Sequence, residues 1–232
     1  ARQPHLCPCA GGACQPTGPE LLPPEEIVAH STARMKEMDS FHFVIDRSGA
    51  PAYLDTEESL SFARAEGDFV APDQARAEIR IIAPGLVAEI RIVALGDDYW
   101  ETNLLSGEWQ SLPAGMGFNP AILFDPQVGL QPVLDRDLTN LALRGIEELP
   151  ELPGTPLYAL TGRLDGERIH QMSYAMIGPE AMEVQLWIAP ETFELYRVVI
   201  SEPSADPADP TIWQLDFWDF DVPVEITPPP VG

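Results

Sequence analysis

The clearest pattern in the chain is a strict alternation of apolar and charged positions. Ala77, Ile79 and Ile81 alternate with Glu78 and Arg80. Pro84-Gly85 then punctuates the run, and Ala88, Ile90 and Ile92 alternate with Glu89 and Arg91. A period of two puts one set on each face of a strand, so residues 77–92 predict a hairpin with an apolar and a charged face. Similar β-rich runs recur at Phe41–Asp46, 58–70, Tyr99–Thr102, 141–148, 156–164, Met182–Ile188, Leu195–Ser201 and Ile212–Phe217. Gly96-Asp97-Asp98, Gly107-Glu108 and Pro190-Glu191-Thr192 separate several of them.

Helical patterns are few. Residues 24–39 carry Ile27, Val28, Ser31, Met35 and Met38 at helical spacing, with Pro24, Glu25 and Glu26 suited to a first turn. Residues 165–177 read as helical with Asp165 as the N-cap, and Leu130–Asn140 as a short helix. The sum is an α+β chain with one large antiparallel sheet of about nine to eleven strands and two or three helices. Such a sheet has more apolar face than those helices can cover. It must therefore curl, dimerise or enclose something apolar. Methionines and aromatics in 112–132, which includes Phe118, Ile122, Leu123 and Phe124, and in 169–177 suit an adaptable mouth, or else fill a solid core.

Proline divides the chain. Of the 25 prolines, 13 fall in residues 1–24, 203–210 and 223–230. This gives a Pro/Cys-rich tether over 1–24, a body over 25–222 and a Pro-rich tail over 223–232. The tether holds Cys7, Cys9 and Cys14 together with His5. A lipid anchor on Cys14 after the small residues Gly11-Gly12-Ala13, a disulfide with one thiol left over, a metal site and inert thiols all fit that segment.

Charge removes several functions. The chain has 13 Lys+Arg against 37 Asp+Glu and a net charge of -24. It has no basic patch for a phosphate backbone or for anionic lipids, so no nucleic-acid partner is expected. Lys36 is the single lysine, which excludes a P-loop or a polybasic cluster. No run of about 18 apolar residues is present to span a membrane. His30 and His42 read as structural or surface residues, and no H-E-x-x-H, G-x-S-x-G or G-x-G-x-x-G motif occurs. Asp216, Asp219 and Asp221 form a D-x-x-D-x-D series without the glycine and distal glutamate of a calcium loop, and read as a solvated strand face. No catalytic residue, metal or cofactor is expected.

The order of segments adds a resemblance. The helix IVAHSTARMKEMDSFHF is followed by ARAEIRIIAPGLVAEIRIVALGDDYW and SGEWQSLP. Then come FDPQVGLQPVLDRDLTNL, YALTGRLDGE and VQLWIAPETFELYRVVIS, and the chain ends in LDFWDFDVPVEITPPP. Over residues 25–230 this order resembles the LppX/LprAFG family of envelope lipoproteins. The resemblance implies a half-barrel of antiparallel strands wrapped around helices, as in the LolA and LolB carriers. It implies a non-enzymatic carrier, extracytoplasmic and anchored in the cell envelope, that holds acyl chains of a lipid or glycolipid in a hydrophobic cavity. On strand faces, Ala77, Ile79, Ile81, Ala88, Ile90 and Ile92 match its cavity-lining hairpin. Tyr158, Leu160, Val184, Leu186, Ile188, Tyr196, Val198 and Ile200 are further lining candidates, each equally suited to packed core. The same fold also serves sensor or protein-interaction modules with filled cores, and carriers of lipoproteins.

Overall fold

The computed structural model describes residues 21–113, 119–173, 175–204 and 206–230. Helix α1 spans Pro24–Glu37 and leads into β1 (Ser40–Gly49), β2 (Ala52–Tyr53), β3 (Ser61–Val70), β4 (Gln74–Ala83), β5 (Leu86–Leu95), β6 (Asp98–Thr102) and β7 (Trp109–Leu112). A 3-10 turn at Pro120–Phe124 and the single turn α2 (Leu130–Pro132) precede β8 (Leu138–Glu147) and β9 (Leu157–Leu164). Helix α3 (Gly166–Met172), β10 (Met182–Ile188), β11 (Leu195–Glu202) and β12 (Thr211–Trp218) complete the order.

All strand pairs are antiparallel, in the order β7-β6-β5-β4-β3-β1-β12-β11-β10-β9-β8, with β2 added beside β3. The sheet stays open, since β7 and β8 end it without pairing to each other. Its twelve strands exceed the expected number by the two-residue β2, too short to carry a pattern. The predicted hairpin forms as read: Ile79 faces Ile90, Ala77 faces Ile92, and Gly85 supplies the positive φ of the turn (+74°).

The sheet has two distinct ends. The turns β4–β5 and β6–β7, the β1–β3 connection and α3 lie at one end, here called distal. Ser40, Val70 and the β10–β11 turn lie at the other, basal end.

Helix α1 buries Ile27, Val28, Ser31, Thr32 and Met35. It is fastened at the basal end, where His30 stacks on Phe193 at 4.6 Å and Arg34 pairs with Glu194 (3.1 Å) and with Asp221. Asp221 also accepts the Asp39 amide at 2.8 Å. Strand β12 ends at Trp218, so Asp219 and Asp221 sit in a turn at positive φ and do not share a strand face with Asp216. Asp216 pairs with Arg197 on the sheet. Burial pushes the Asp221 carboxyl up, but the hydrogen bonds from Arg34 and the Asp39 amide outweigh it and hold the pKa below its usual range. A depressed carboxylate stabilises the fold above its unfolded pKa, about 3.9, and loses that contribution as pH falls through the folded value. Asp221→Asn is expected to cost about 1 kcal/mol at neutral pH, the scale of a partly exposed pair. The Tm gap between the two proteins should close below about pH 4, which thermal melts from pH 7 to 3 would measure.

Two predicted helices are shorter than their patterns. In 130–140, α2 gives way to one wide turn at Val133–Asp137, because Leu138 already pairs with Leu164. In 165–177, Asp165 does cap α3, accepting the Glu167 amide at 3.1 Å, but the helix stops at Met172. There Ala175 takes a positive φ and donates its amide to His170 O, and the Ser173 hydroxyl accepts the Ile177 amide.

The main core fills the inner face of the sheet. Phe124, 2% exposed, stands among Phe41, Phe43, Phe69 and Phe217 at ring distances of 4.7–6.1 Å. A smaller cluster of Leu149, Leu157, Ala159 and Trp187 sits on the outer face. Beyond Val222, Ile226 of the Pro-rich tail is buried.

Candidate functional site

The inner face is packed by α1 and the Phe124 turn, but one region stays uncovered. Along β4, β5 and β6 lies a cavity of about 620 Å³. Ile79, Ile81, Ile90 and Ile92 of the predicted hairpin form one wall, with Phe62 of β3 and Tyr99 of β6 beside them. The rim is made by Tyr53, Leu54, Asp55 and Thr56 from the β1–β3 connection and by Ser173, Ala175 and Met176 after α3. Both rim segments leave strands at the distal end.

Alternation explains the wall. Ile79 and Ile81 point inward while Glu78 and Arg80 point to solvent, and Arg80 meets Glu89 across the strands at 3.2 Å on the outer face. Ala77 is buried in the core beyond the wall and Ala88 is half-buried; neither lines the cavity.

Polar groups are few: the carboxylates of Asp55 and Glu101 and the hydroxyls of Tyr53, Thr56, Tyr99 and Ser173. The Tyr99 hydroxyl donates to Glu101 at 3.1 Å, and Gln110 Nε2 donates to the same carboxylate at 3.3 Å. At the rim, Asp55 accepts the Ser59 hydroxyl and the amides of Ser59 and Leu60, both at 2.9 Å. The Ser59 hydroxyl, then the Leu60 amide, hold the Asp55 carboxyl below its usual range. That carboxylate orders the rim loop and stays charged there.

The other lining candidates lie elsewhere. Tyr158, Leu160, Val184, Leu186, Ile188, Val198 and Ile200 point to the same inner face but are buried in the packed core. Tyr196 is on the opposite face, against the outer cluster. The register shifts between Trp187 and Ile188, so Arg197 faces Trp187 while Leu195 faces Ile188. Tyr196 is the extra residue of this β-bulge, and Leu195 takes the inner position that simple alternation gives to Tyr196. Cys7, Cys9, Cys14, His5 and Phe118 lie outside the described residues.

Phe62, Tyr99 and the 53–56 rim were absent from the sequence expectation. Phe62 sits at a register shift against β4, which hides its face, and the rim loop has no periodicity. Met176 did carry a signal, as part of the methionine-bearing 169–177 segment.

The histidines serve the frame. His42 Nδ1 lies 2.8 Å from Asp68 on the outer face, and His170 Nδ1 lies 2.7 Å from the Ile177 carbonyl. Among the described residues, no three His, Cys, Asp or Glu side chains gather to hold a metal ion, and no helix is long and apolar enough to cross a membrane.

The arrangement can hold a flexible apolar chain and keep a polar end at the rim. Comparisons with known proteins bear on it. The family model described as LppX_LprAFG lipoprotein matches residues 23–226. LprF from Mycobacterium bovis superposes with a TM-score of 0.67 at 19% identity, covering 90% of this chain and 97% of its own. The lipoprotein LppX from Mycobacterium tuberculosis gives 0.60 at 19% identity, covering 88% of this chain and 97% of its own. At these identities the likeness is one of fold. No curated protein sequence matches the chain.

Proposed function

The chain belongs to the LppX_LprAFG lipoprotein family, and from that premise we propose that it is a non-enzymatic, extracytoplasmic carrier that takes one acyl chain into the distal cavity. The observation that supports this most is the cavity itself, a mostly apolar open pocket of about 620 Å³ walled by four isoleucines of one hairpin. At about 30 Å³ per water-sized group, that space holds roughly twenty methylene-sized groups. It is the scale of one long acyl chain.

The mechanism is exchange. A methylene moved from water gains about 0.8 kcal/mol on burial. A methylene moved from a bilayer into an apolar cavity gains little, because both surroundings are apolar. Loading and unloading are therefore reversible, as transfer through the cell envelope requires. The two charged groups at the cavity and its rim, Glu101 and Asp55, are both carboxylates, which only accept. They suit a headgroup that donates hydroxyls, such as the sugar of a neutral glycolipid, and disfavour an anionic one. A module with a solid interior would have no use for this cavity.

Native mass spectrometry of the protein from its envelope should find one bound lipid per chain, released by organic extraction. The extracted protein should then take up a pyrene-labelled acyl ester with one-to-one stoichiometry. Absence of both bound lipid and probe uptake would overturn the carrier reading.

A further inference from the structure

The distal end carries an apolar surface that the cavity does not use. The β4–β5 tip exposes Ile82, Leu86 and Val87, and Leu86 and Val87 are 56% and 59% exposed. The neighbouring β6–β7 turn exposes Leu104 and Leu105, the latter 93% exposed. On the other side of the tip, Leu54 is exposed in the rim loop beside the cavity mouth. These three segments project from adjacent strands, β3 to β7, in one direction. Leu54 stands level with the tip, and the β6–β7 turn faces the same way but is set back along β5.

The tip has two further properties. Cross-strand pairs place Ile82 and Val87 on the outer face and Ala83 and Leu86 on the inner face, so it is apolar on both sides. Residues 81–88, IIAPGLVA, carry no charge in a chain whose net charge is -24. Strand β6 pairs with β5 only at Ile92–Leu95, so Leu86–Arg91 project past it. A flat protein partner covers one face of a hairpin. A tip that is apolar on both faces and unpaired along its β5 edge is satisfied by immersion.

We propose that the β4–β5 tip, together with Leu104, Leu105 and Leu54, is a membrane-docking surface that inserts into the uncharged interfacial region of a bilayer and seats the cavity mouth on it. The proposal rests on the carrier reading only for the purpose of the contact. An anionic bilayer repels the chain, so this docking is driven by apolar area and not by charge.

The test uses the full chain free of attached lipid, sedimented with vesicles at pH 7. Binding to vesicles of phosphatidylcholine alone is expected, with no gain on adding anionic lipid and no loss on raising salt. Leu86→Asp with Val87→Asp should lower binding at least tenfold, and Leu105→Asp severalfold. Both residues of the tip pair are more than half exposed, so melting temperature should stay at the wild-type value. In the double variant, uptake of the acyl probe from ethanol should be unchanged while uptake from vesicles falls with binding. Equal sedimentation of wild type and both variants would overturn the proposal. So would binding that appears only with anionic lipid, or a double variant that changes only the oligomeric state, which would assign the surface to a second copy of the chain. A wild type that binds vesicles but carries no bound lipid and takes no probe from ethanol would instead remove the carrier reading and leave docking standing.

Discussion

Replacing Phe124 with alanine is expected to cost about 3–5 kcal/mol, the range for deleting a buried aromatic ring. The ring is 2% exposed and touches four other phenylalanines, at 4.7 Å edge-on to Phe41, and at 5.1, 5.0 and 6.1 Å from Phe43, Phe69 and Phe217. Those partners stand on β1, β3 and β12, the middle of the sheet. Phe124 comes from a 3-10 turn whose start is fixed by Asn119, which accepts the Ala121 amide at 2.9 Å. A short turn in a Pro- and Gly-rich segment thus plugs the inner face where no helix reaches. Loss of the ring leaves a void under strands that cannot close on it, since their backbones are held by the ladder. Phe124→Leu should cost far less, because most of the volume remains. Urea titrations of the three proteins would measure both differences. A loss below about 1 kcal/mol in Phe124→Ala would mean that the turn is not a structural plug.

The plug shows why the division between cavity and core was only half legible in the sequence. The hairpin wall could be read directly, because 77–81 and 88–92 each alternate cleanly and the two strands keep register. Which inner-face residues meet empty space could not be read. Val184, Leu186 and Ile188 alternate as cleanly as Ile79 and Ile81, yet they are covered. Coverage depends on where α1 and the Phe124 turn lie, and neither position is written in the strands themselves. Tyr196 failed for a different reason, since one bulge residue reverses the parity of everything before it. The total apolar area, set against two short helices, implied only that the sheet must curl, dimerise or enclose something apolar.

Placing a carboxylate in the isoleucine wall should nearly abolish acyl-chain loading at neutral pH, by a mechanism that pH can reverse. Ile90 is the residue to change. It lines the cavity opposite Ile79 yet is only half-buried, so an aspartate there keeps its water while the cavity holds no chain. When a chain enters, that carboxylate is desolvated and must take a proton or remain charged against methylenes. With an ordinary pKa near 3.9, neutralising it costs about 4 kcal/mol at pH 7 and about 1.5 kcal/mol at pH 5. Ile90→Asp should therefore bind an uncharged pyrene-labelled acyl ester by up to about a thousandfold less at pH 7 and about tenfold less at pH 5. Binding should be coupled to uptake of one proton. Ile90→Asn cannot be neutralised in this way, so its affinity relative to the wild type should be the same at every pH. The window from pH 7 to 5 lies above the range in which the depressed Asp221 titrates, so the clasp on α1 stays intact throughout. Fluorescence titrations at four pH values would decide the matter. An aspartate variant that loads like wild type at pH 7 would place the acyl chain elsewhere than against the β4–β5 wall.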